Sequence, residues 1–333
     1  LWPGLRHFFR PGAVIPLPWK KERLIMKTTG CSRAGEGETM KIEKVLFPTR
    51  FQELAFNCLE SLLVLRKAGL REVVLCHIIA RDQVAFVPYG GYLKEEAEKL
   101  KEEARIRFED WQSSLKSSGI ESKVVIEVGD PIHKILSIAE DEGVDLMVVG
   151  RKKRTLADAF AGSHTLEILR RSTVPVLVNK YMVEFEWGGE VLTRLNDRIF
   201  EKPLLAADWS PPSERALALL SSLGGVVQGA ALCHVLDVKV HGEKDMGKLK
   251  RLEEQCNARL ADYCKSLERA GIRAEAHLAA GRKDEEIMRV ARESRASMIL
   301  MGTTGKDRLH ELWQKSVSHN IAKASELPTL LVQ

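Results

Sequence analysis

A chain of 333 residues, 44% hydrophobic and 29% charged, has the composition of an ordinary globular protein and the length of about two domains. Its net charge of +5 is concentrated at the start: residues 1–39 hold seven basic and three acidic side chains, which leaves the rest at +1 and gives no electrostatic reason to expect a nucleic-acid partner. No apolar run reaches the roughly 18 residues of a membrane span, so no membrane role is expected.

Residues 1–39 show no sustained periodicity and are expected to be poorly ordered. Met40 opens a clean pattern, Met40-Lys41-Ile42-Glu43-Lys44-Val45-Leu46-Phe47, and reads as the native start. The preceding Glu36-Gly37-Glu38 can be encoded by purine-rich GAR-GGN-GAR, which resembles a ribosome-binding site, so residues 1–39 are expected to be a non-native extension.

From Met40 onward, strand and helix alternate. The pattern predicts a strand at 45–48, a helix at 53–67, a strand at 72–79, and a loop at 81–92 whose Pro88-Tyr89-Gly90-Gly91 fits a surface loop or a lid. A long charged helix follows at 94–118, with Leu100, Ala104, Phe108, Trp111 and Leu115 at helical spacing. Then come a strand at 123–128, a helix at 132–142 and a strand at 146–149. Residues 181–199 read as a linker turning at Trp187-Gly188-Gly189, flanked by short strands or irregular chain.

The order then repeats, with strands at 204–207, 230–236 and 274–279, helices at 213–223, 248–270 and 284–293, and a final strand at 329–332 matching 176–179. Alternation of this kind specifies a parallel sheet covered by helices on both faces. Sequence echoes support a duplication: Leu75-Cys76-His77-Ile78 answers Leu232-Cys233-His234-Val235, Gly129 answers Gly281, and Glu43-Lys44 answers Glu201-Lys202. The expected class is α/β, with two tandem doubly wound domains, each a five-stranded mostly parallel sheet, over 40–180 and 200–333. The six cysteines, Cys31, Cys58, Cys76, Cys233, Cys256 and Cys264, include no CxxC pair. Core packing is expected of Cys76 and Cys233, as is a reducing cytoplasm.

Chemistry concentrates between Ser297 and Ser318. The apolar run Met298-Ile299-Leu300-Met301 reads as a strand buried on both faces, Gly302 and Gly305 punctuate its end, and Ser316 and Ser318 precede a helix. A strand end, glycines and a helix N-terminus together outline a phosphate site, whereas a turn and a helix cap are the simpler alternative. Asp208, after the first strand of this half, can accept hydrogen bonds from a sugar or base, and Ala207 and backbone groups near Val235 stand at adjacent strand ends. Amides at Ser316 and Val317 and the hydroxyls of Ser316 and Ser318 could hold phosphate oxygens. Lys306, Arg308 and Lys315 add positive charge, though Lys315 could also fill the pocket. His77 and His234 are expected to be structural, hydrogen-bonded residues.

These residues resemble the universal stress protein family in a tandem form covering nearly everything from Met40 to Gln333. Its nucleotide-binding members carry G-x2-G-x9-G-[ST] between the fourth strand and the last helix, and an aspartate ending the first strand. Gly302, Gly305, Ser316 and Asp208 match; Lys315 takes the place of the third glycine. In the first half Arg50 replaces the aspartate, Lys153 replaces the second glycine, and Gly162-Ser163 arrives one residue early. The resemblance implies an adenine nucleotide, ATP, ADP or AMP, with magnesium accompanying ATP. The main site is expected in the second half, and a weaker one around Thr49, Ile78, Gly150, Gly162 and Ser163.

The expected function is a cytoplasmic stress-response or signalling module whose ligand adjusts conformation or partner binding. No GxxxxGK[ST], no GxGxxG, no Ser-His-Asp set and no metal-ligand cluster is legible, so at most slow ATP hydrolysis is expected. The alternatives are an interaction scaffold with decayed sites and an adenylyl-transferring enzyme, whose SGGxDS-like loop has no counterpart in Pro48-Thr49-Arg50-Phe51 or Ala207-Asp208-Trp209-Ser210. The strands at 176–179 and 329–332 are expected to pair within one chain as an intramolecular pseudo-dimer, with a homodimer as a further assembly.

Overall fold

The computed structural model describes residues 40–52, 54–84, 86–87, 91–92, 94–150, 163–187, 189–236, 246–303 and 316–333. The expectations placed on residues 1–39, Lys153, Gly162, Gly305, Lys306, Arg308 and Lys315 lie outside these described residues. Thr39–Gln333 is one compact unit.

The first half supplies β1 (Lys44–Pro48), α1 (Ala55–Glu60), β2 (Glu72–Ala80), β3 (Phe86–Val87), β4 (Gly91–Tyr92), α2 (Lys94–Ser117), β5 (Glu121–Gly129), α3 (Pro131–Asp141), β6 (Leu146–Gly150), α4 (Ser163–Arg171) and β7 (Val176–Asn179). An antiparallel hairpin, β8 (Met182–Trp187) with β9 (Glu190–Leu195), occupies the linker. The second half supplies β10 (Pro203–Ala206), α5 (Pro211–Ser222), β11 (Gly229–Leu236), α6 (Met246–Arg269), β12 (Arg273–Ala280), α7 (Lys283–Glu293), β13 (Met298–Gly302), α8 (Val317–Ala324) and β14 (Thr329–Val332).

Ten strands form one continuous sheet in the order β12-β11-β10-β13-β14-β7-β6-β1-β2-β5. Each half contributes five parallel strands, and the two sets meet where β14 runs antiparallel to β7, with Thr329 opposite Val178 and Leu330 opposite Leu177. Period-two alternation feeds both faces of this sheet. Val45, Phe47, Leu177, Leu205 and Leu330 enter one buried layer, while Leu46, Val176, Val178, Leu204 and Leu331 enter the other. Both layers cross the seam, so the halves share their core.

The seam also carries buried polar groups. Lys180 is fully buried, and its Nζ donates to the Ser325 carbonyl at 2.7 Å. The Asn196 amide donates to the carbonyls of Lys180 (2.6 Å) and Glu326 (3.2 Å), tying the end of the hairpin to both halves.

One predicted element differs. The expected single helix at 53–67 divides into α1 and a 3-10 segment, Leu63–Ala68. Leu54 precedes α1 in the left-handed region, at φ 65°, and makes no side-chain cap bond. The equivalent α5 has a capping Ser210 whose hydroxyl accepts from the Ser213 N–H, followed by prolines suited to the first helical turn, and runs unbroken for 12 residues. The break falls at Ser61–Leu62, where the Cys58 carbonyl accepts from Ser61 Oγ (2.7 Å) and Asn179 Nδ2 (3.2 Å).

Candidate functional site

In each half the first strand lies between neighbours reached in opposite directions. β10 is followed outward by β11 and β12 on one side and by β13 and β14 on the other, so the crevice of the second half opens between the carboxyl ends of β10 and β13. The matching crevice in the first half lies between β1 and β6.

The β10 side begins at Asp208, an exposed residue whose Oδ1 accepts from the Ser210 N–H (3.1 Å) and hydroxyl (2.5 Å), an Asx turn at the strand exit. Its own N–H donates to Ser213 Oγ at 3.3 Å. The β13 side brings Met301 into register with Ala206 and ends at Gly302. A Cβ on Gly302 would lie 2.4 Å from the Ser213 nitrogen and 2.5 Å from the Pro212 carbonyl carbon. Glycine at this position therefore permits close approach of the first turn of α5.

Beyond Gly302, the buried Thr303 hydroxyl lies 3.1 Å from Ser318 Oγ, which lies 3.1 Å from Ser316 Oγ. Ser316 caps α8 by accepting from the His319 N–H at 3.2 Å. That cap leaves the first two amides of α8, at Val317 and Ser318, without intrahelical acceptors at the positive end of the helix dipole. Asp208, Ser213, Gly302, Thr303, Ser318 and Ser316 thus form a polar path from the end of β10 to the start of α8.

Beside this path lies a cavity of about 730 Å³ lined by residues including Trp209, His234, Val235, Cys256, Arg259 and Lys283. Trp209 stands in the left-handed region at φ 63°. Its ring stacks on His234 (4.8 Å, 29°), meets Tyr263 edge-on (5.1 Å) and carries the Arg259 guanidinium 5.3 Å above its centre. The Ala207 carbonyl accepts from His234 Nδ1 at 2.7 Å, which fixes the protonated nitrogen. Burial lowers the His234 pKa, partly opposed by that hydrogen bond. Tyr263 donates to Glu214 at 2.6 Å, and burial raises its pKa.

The first half repeats this frame with altered charge. Phe51, at φ 55°, packs on His77 at 4.9 Å, His77 Nδ1 donates to the Thr49 carbonyl at 2.8 Å, and the Arg107 guanidinium stands 5.3 Å over the Phe51 ring. Thr49 and Ile78 are buried, and Gly150 ends β6 where a Cβ would meet open space. Ser163 opens α4. Arg50 stands where Asp208 stands in the second half, and its Nη2 donates to His164 Nδ1 at 3.2 Å, spanning from the end of β1 to the first turn of α4.

The sequence reading missed the aromatic platforms Phe51 and Trp209 and the guanidinium over each. A signal was present: Phe51 and Trp209 recur at the same offset as Arg50 and Asp208, and Arg107 and Arg259 recur within the long charged helices. The cysteines behave as expected, with Cys76 and Cys233 buried in the sheet and their thiols pushed up to about 12 by burial. The five described cysteines are free. Among the described residues, no group of three or more His, Cys, Asp or Glu could hold a metal ion, and no helix is long and apolar enough to cross a membrane.

A profile of the universal stress protein family matches residues 41–180 and 200–333. The universal stress protein MJ0577 of Methanocaldococcus jannaschii is 34% identical over 153 residues, covering 41% of this chain and 94% of the relative. Slr1230 of Synechocystis, also a universal stress protein, is 25% identical over 223 residues, 66% of this chain and 68% of its own. The crystal structure of a universal stress protein from Archaeoglobus fulgidus superposes with a TM-score of 0.65 at 20% identity, spanning 88% of this chain and 98% of that one, a likeness of fold. With both halves matched by one family, this chain belongs to the universal stress proteins, in a tandem two-repeat form.

Proposed function

We propose that the protein is a cytoplasmic stress-response or signalling module that binds one adenine nucleotide, ATP, ADP or AMP, in its second half. The observation that carries this reading is the charge inversion between equivalent crevices. Asp208 offers a carboxylate to sugar or base donors at the β10 exit, whereas Arg50 presents a donor at the β1 exit and reaches across to His164. In the second half, the base would enter the cavity beside Trp209 and Val235, and the phosphates would lie at the start of α8, near the Val317 and Ser318 amides.

The described crevice residues Asp208, Thr303, Ser316 and Ser318 suit binding, with at most slow ATP hydrolysis. Magnesium would enter with ATP, carried by its phosphates. Ligand occupancy would then adjust partner binding through the shared sheet.

One observation favours a second reading, an interaction scaffold without ligand. The Ser318 hydroxyl is buried and already meets Thr303 and Ser316, and Asp208 Oδ1 is already engaged by Ser210. Denaturing freshly purified protein and identifying released nucleotide by chromatography and mass spectrometry separates the two. About one adenine nucleotide per chain supports binding in a single half. None released, with no heat on titration with ATP, ADP or AMP, supports the scaffold.

A further inference from the structure

The crevice of the first half is not an empty version of its partner. Its cavity, about 290 Å³, is floored by Phe51, Ile79, Leu100 and Ala104 and bordered by Arg50, Arg107 and Glu103. That volume stands at the lower end of the range for small-molecule sites and suits a ligand built on one or two rings. The floor is apolar and aromatic, with Phe51 held against His77 and against Phe108 at 4.7 Å.

The charge at its border is specific. Arg50 and Arg107 both stand at the mouth, and both charges act on His77: burial is the largest influence lowering its pKa, with Arg107 and Arg50 lowering it further. Among the described residues, neither guanidinium forms a salt bridge; Arg50 meets His164 Nδ1 at 3.2 Å, and Arg107 lies over the Phe51 ring. With Glu103 included and His77 neutral, the described border residues sum to one positive charge. The second-half cavity has Gln255 where Glu103 stands, and Asp208 takes the sequence position of Arg50 without lining that cavity.

We infer that the first half is a binding site for a small monoanion, a carboxylate on a planar apolar body, whose carboxylate is held by Arg50 and Arg107 while its ring lies against the apolar lining of Ile79, Leu100 and Ala104 beside Phe51. Planar guanidinium groups pair with carboxylates through two parallel hydrogen bonds, and an apolar ring gains from the aromatic floor what water would not supply. A single net positive charge matches a carboxylate rather than a phosphate dianion. The inference is independent of nucleotide binding in the second half, because it uses residues of β1, β2 and α2 alone.

The test is titration of the full chain with 2-naphthoate, followed by calorimetry and by the probe's own fluorescence, with the uncharged isostere 2-naphthamide as comparison. Saturable binding of one naphthoate per chain is expected, weakened about tenfold or more by Arg50→Ala and by Arg107→Ala and similarly for the amide. Arg107→Lys keeps charge and stem but not the fork, and is expected to weaken binding less than Arg107→Ala while leaving the melting curve unchanged. Saturating ATP and Arg259→Ala are expected to leave naphthoate binding intact. The inference is overturned if no saturable binding is seen, if naphthoate and naphthamide bind equally, if the Arg50 and Arg107 variants bind as well as the parent, or if ATP or Arg259→Ala abolishes binding, which would move the probe to the second half.

Discussion

The indole of Trp209 lies against the imidazole of His234 with ring centres 4.8 Å apart, held there by a backbone in the left-handed region. A bulky side chain at positive φ is disfavoured by about 1–3 kcal/mol, and the surrounding contacts must offset that cost. Here they are the His234 stack, the Tyr263 edge and the Arg259 guanidinium, beside the cavity of about 730 Å³. Trp209→Ala is therefore expected to weaken adenine-nucleotide binding and to remove any nucleotide-dependent change in tryptophan emission. An unaltered fluorescence titration in Trp209→Ala would place the base elsewhere.

The two half-buried histidines, His77 and His234, give the fold a pH dependence. Burial lowers the pKa of both His77 and His234, while each keeps Nδ1–H bonded to a backbone carbonyl. In the unfolded chain each titrates near the ordinary value of about 6.5. Between that value and the lower folded value, the unfolded state binds more protons, so stability falls as pH falls through this window. It is fully present above the window and levels off below it. Urea denaturation of His77→Asn and His234→Asn, in which an amide N–H can replace Nδ1–H, should show a shallower loss between neutral and acidic pH than the parent. An identical slope in parent and double variant would remove the histidines from the account.

Gly302→Ala and Gly150→Ala should part company on stability. At Gly302 the new Cβ meets the Pro212–Ser213 backbone, which cannot turn aside, whereas at Gly150 it meets nothing within 4 Å. Overpacking of this kind costs about 1–3 kcal/mol or more, while the open position should change by a few tenths. Urea midpoints of the two variants check this. Equal midpoints would mean that β13 and α5 have room to separate.

Asn196→Ala should destabilise both halves together. It leaves the Lys180 and Glu326 carbonyls short of a donor at a seam where the Asn196 amide is 96% shielded, at a cost of about 1–3 kcal/mol. Because both core layers cross from β7 to β14, calorimetry should record one shifted transition. Two separated transitions would show that each half folds on its own core.

Much of this architecture was legible because parallel strands buried on both faces must be continuous apolar runs, and the two halves wrote the same runs twice. Val176-Leu177-Val178 and Leu330-Leu331-Val332 read as terminal strands of their halves, and the structure joins them. The break after α1 was not legible, since the apolar spacing of residues 53–67 is helical and the Asn179 side chain that meets the Cys58 carbonyl and Ser61 at the break is distant in sequence. Candidate site residues could be named where chemistry depends on residue type, as at Asp208, Arg50 and Ser316. The site was illegible where chemistry depends on distance. Nothing in the one-dimensional pattern tells that α2 and α6 place Arg107 and Arg259 over the aromatic rings, or that Gly302 is needed by α5.

The central claim is that one fold, duplicated, has kept nucleotide binding in one half only. Calorimetric titration of ATP, with and without magnesium, into the parent, Asp208→Ala and Arg50→Ala chains tests it most directly. The account predicts about one site per chain in the parent, binding weakened about tenfold or more by Asp208→Ala, and no change with Arg50→Ala. Two equivalent sites in the parent, or binding that survives Asp208→Ala and is lost in Arg50→Ala, would contradict it.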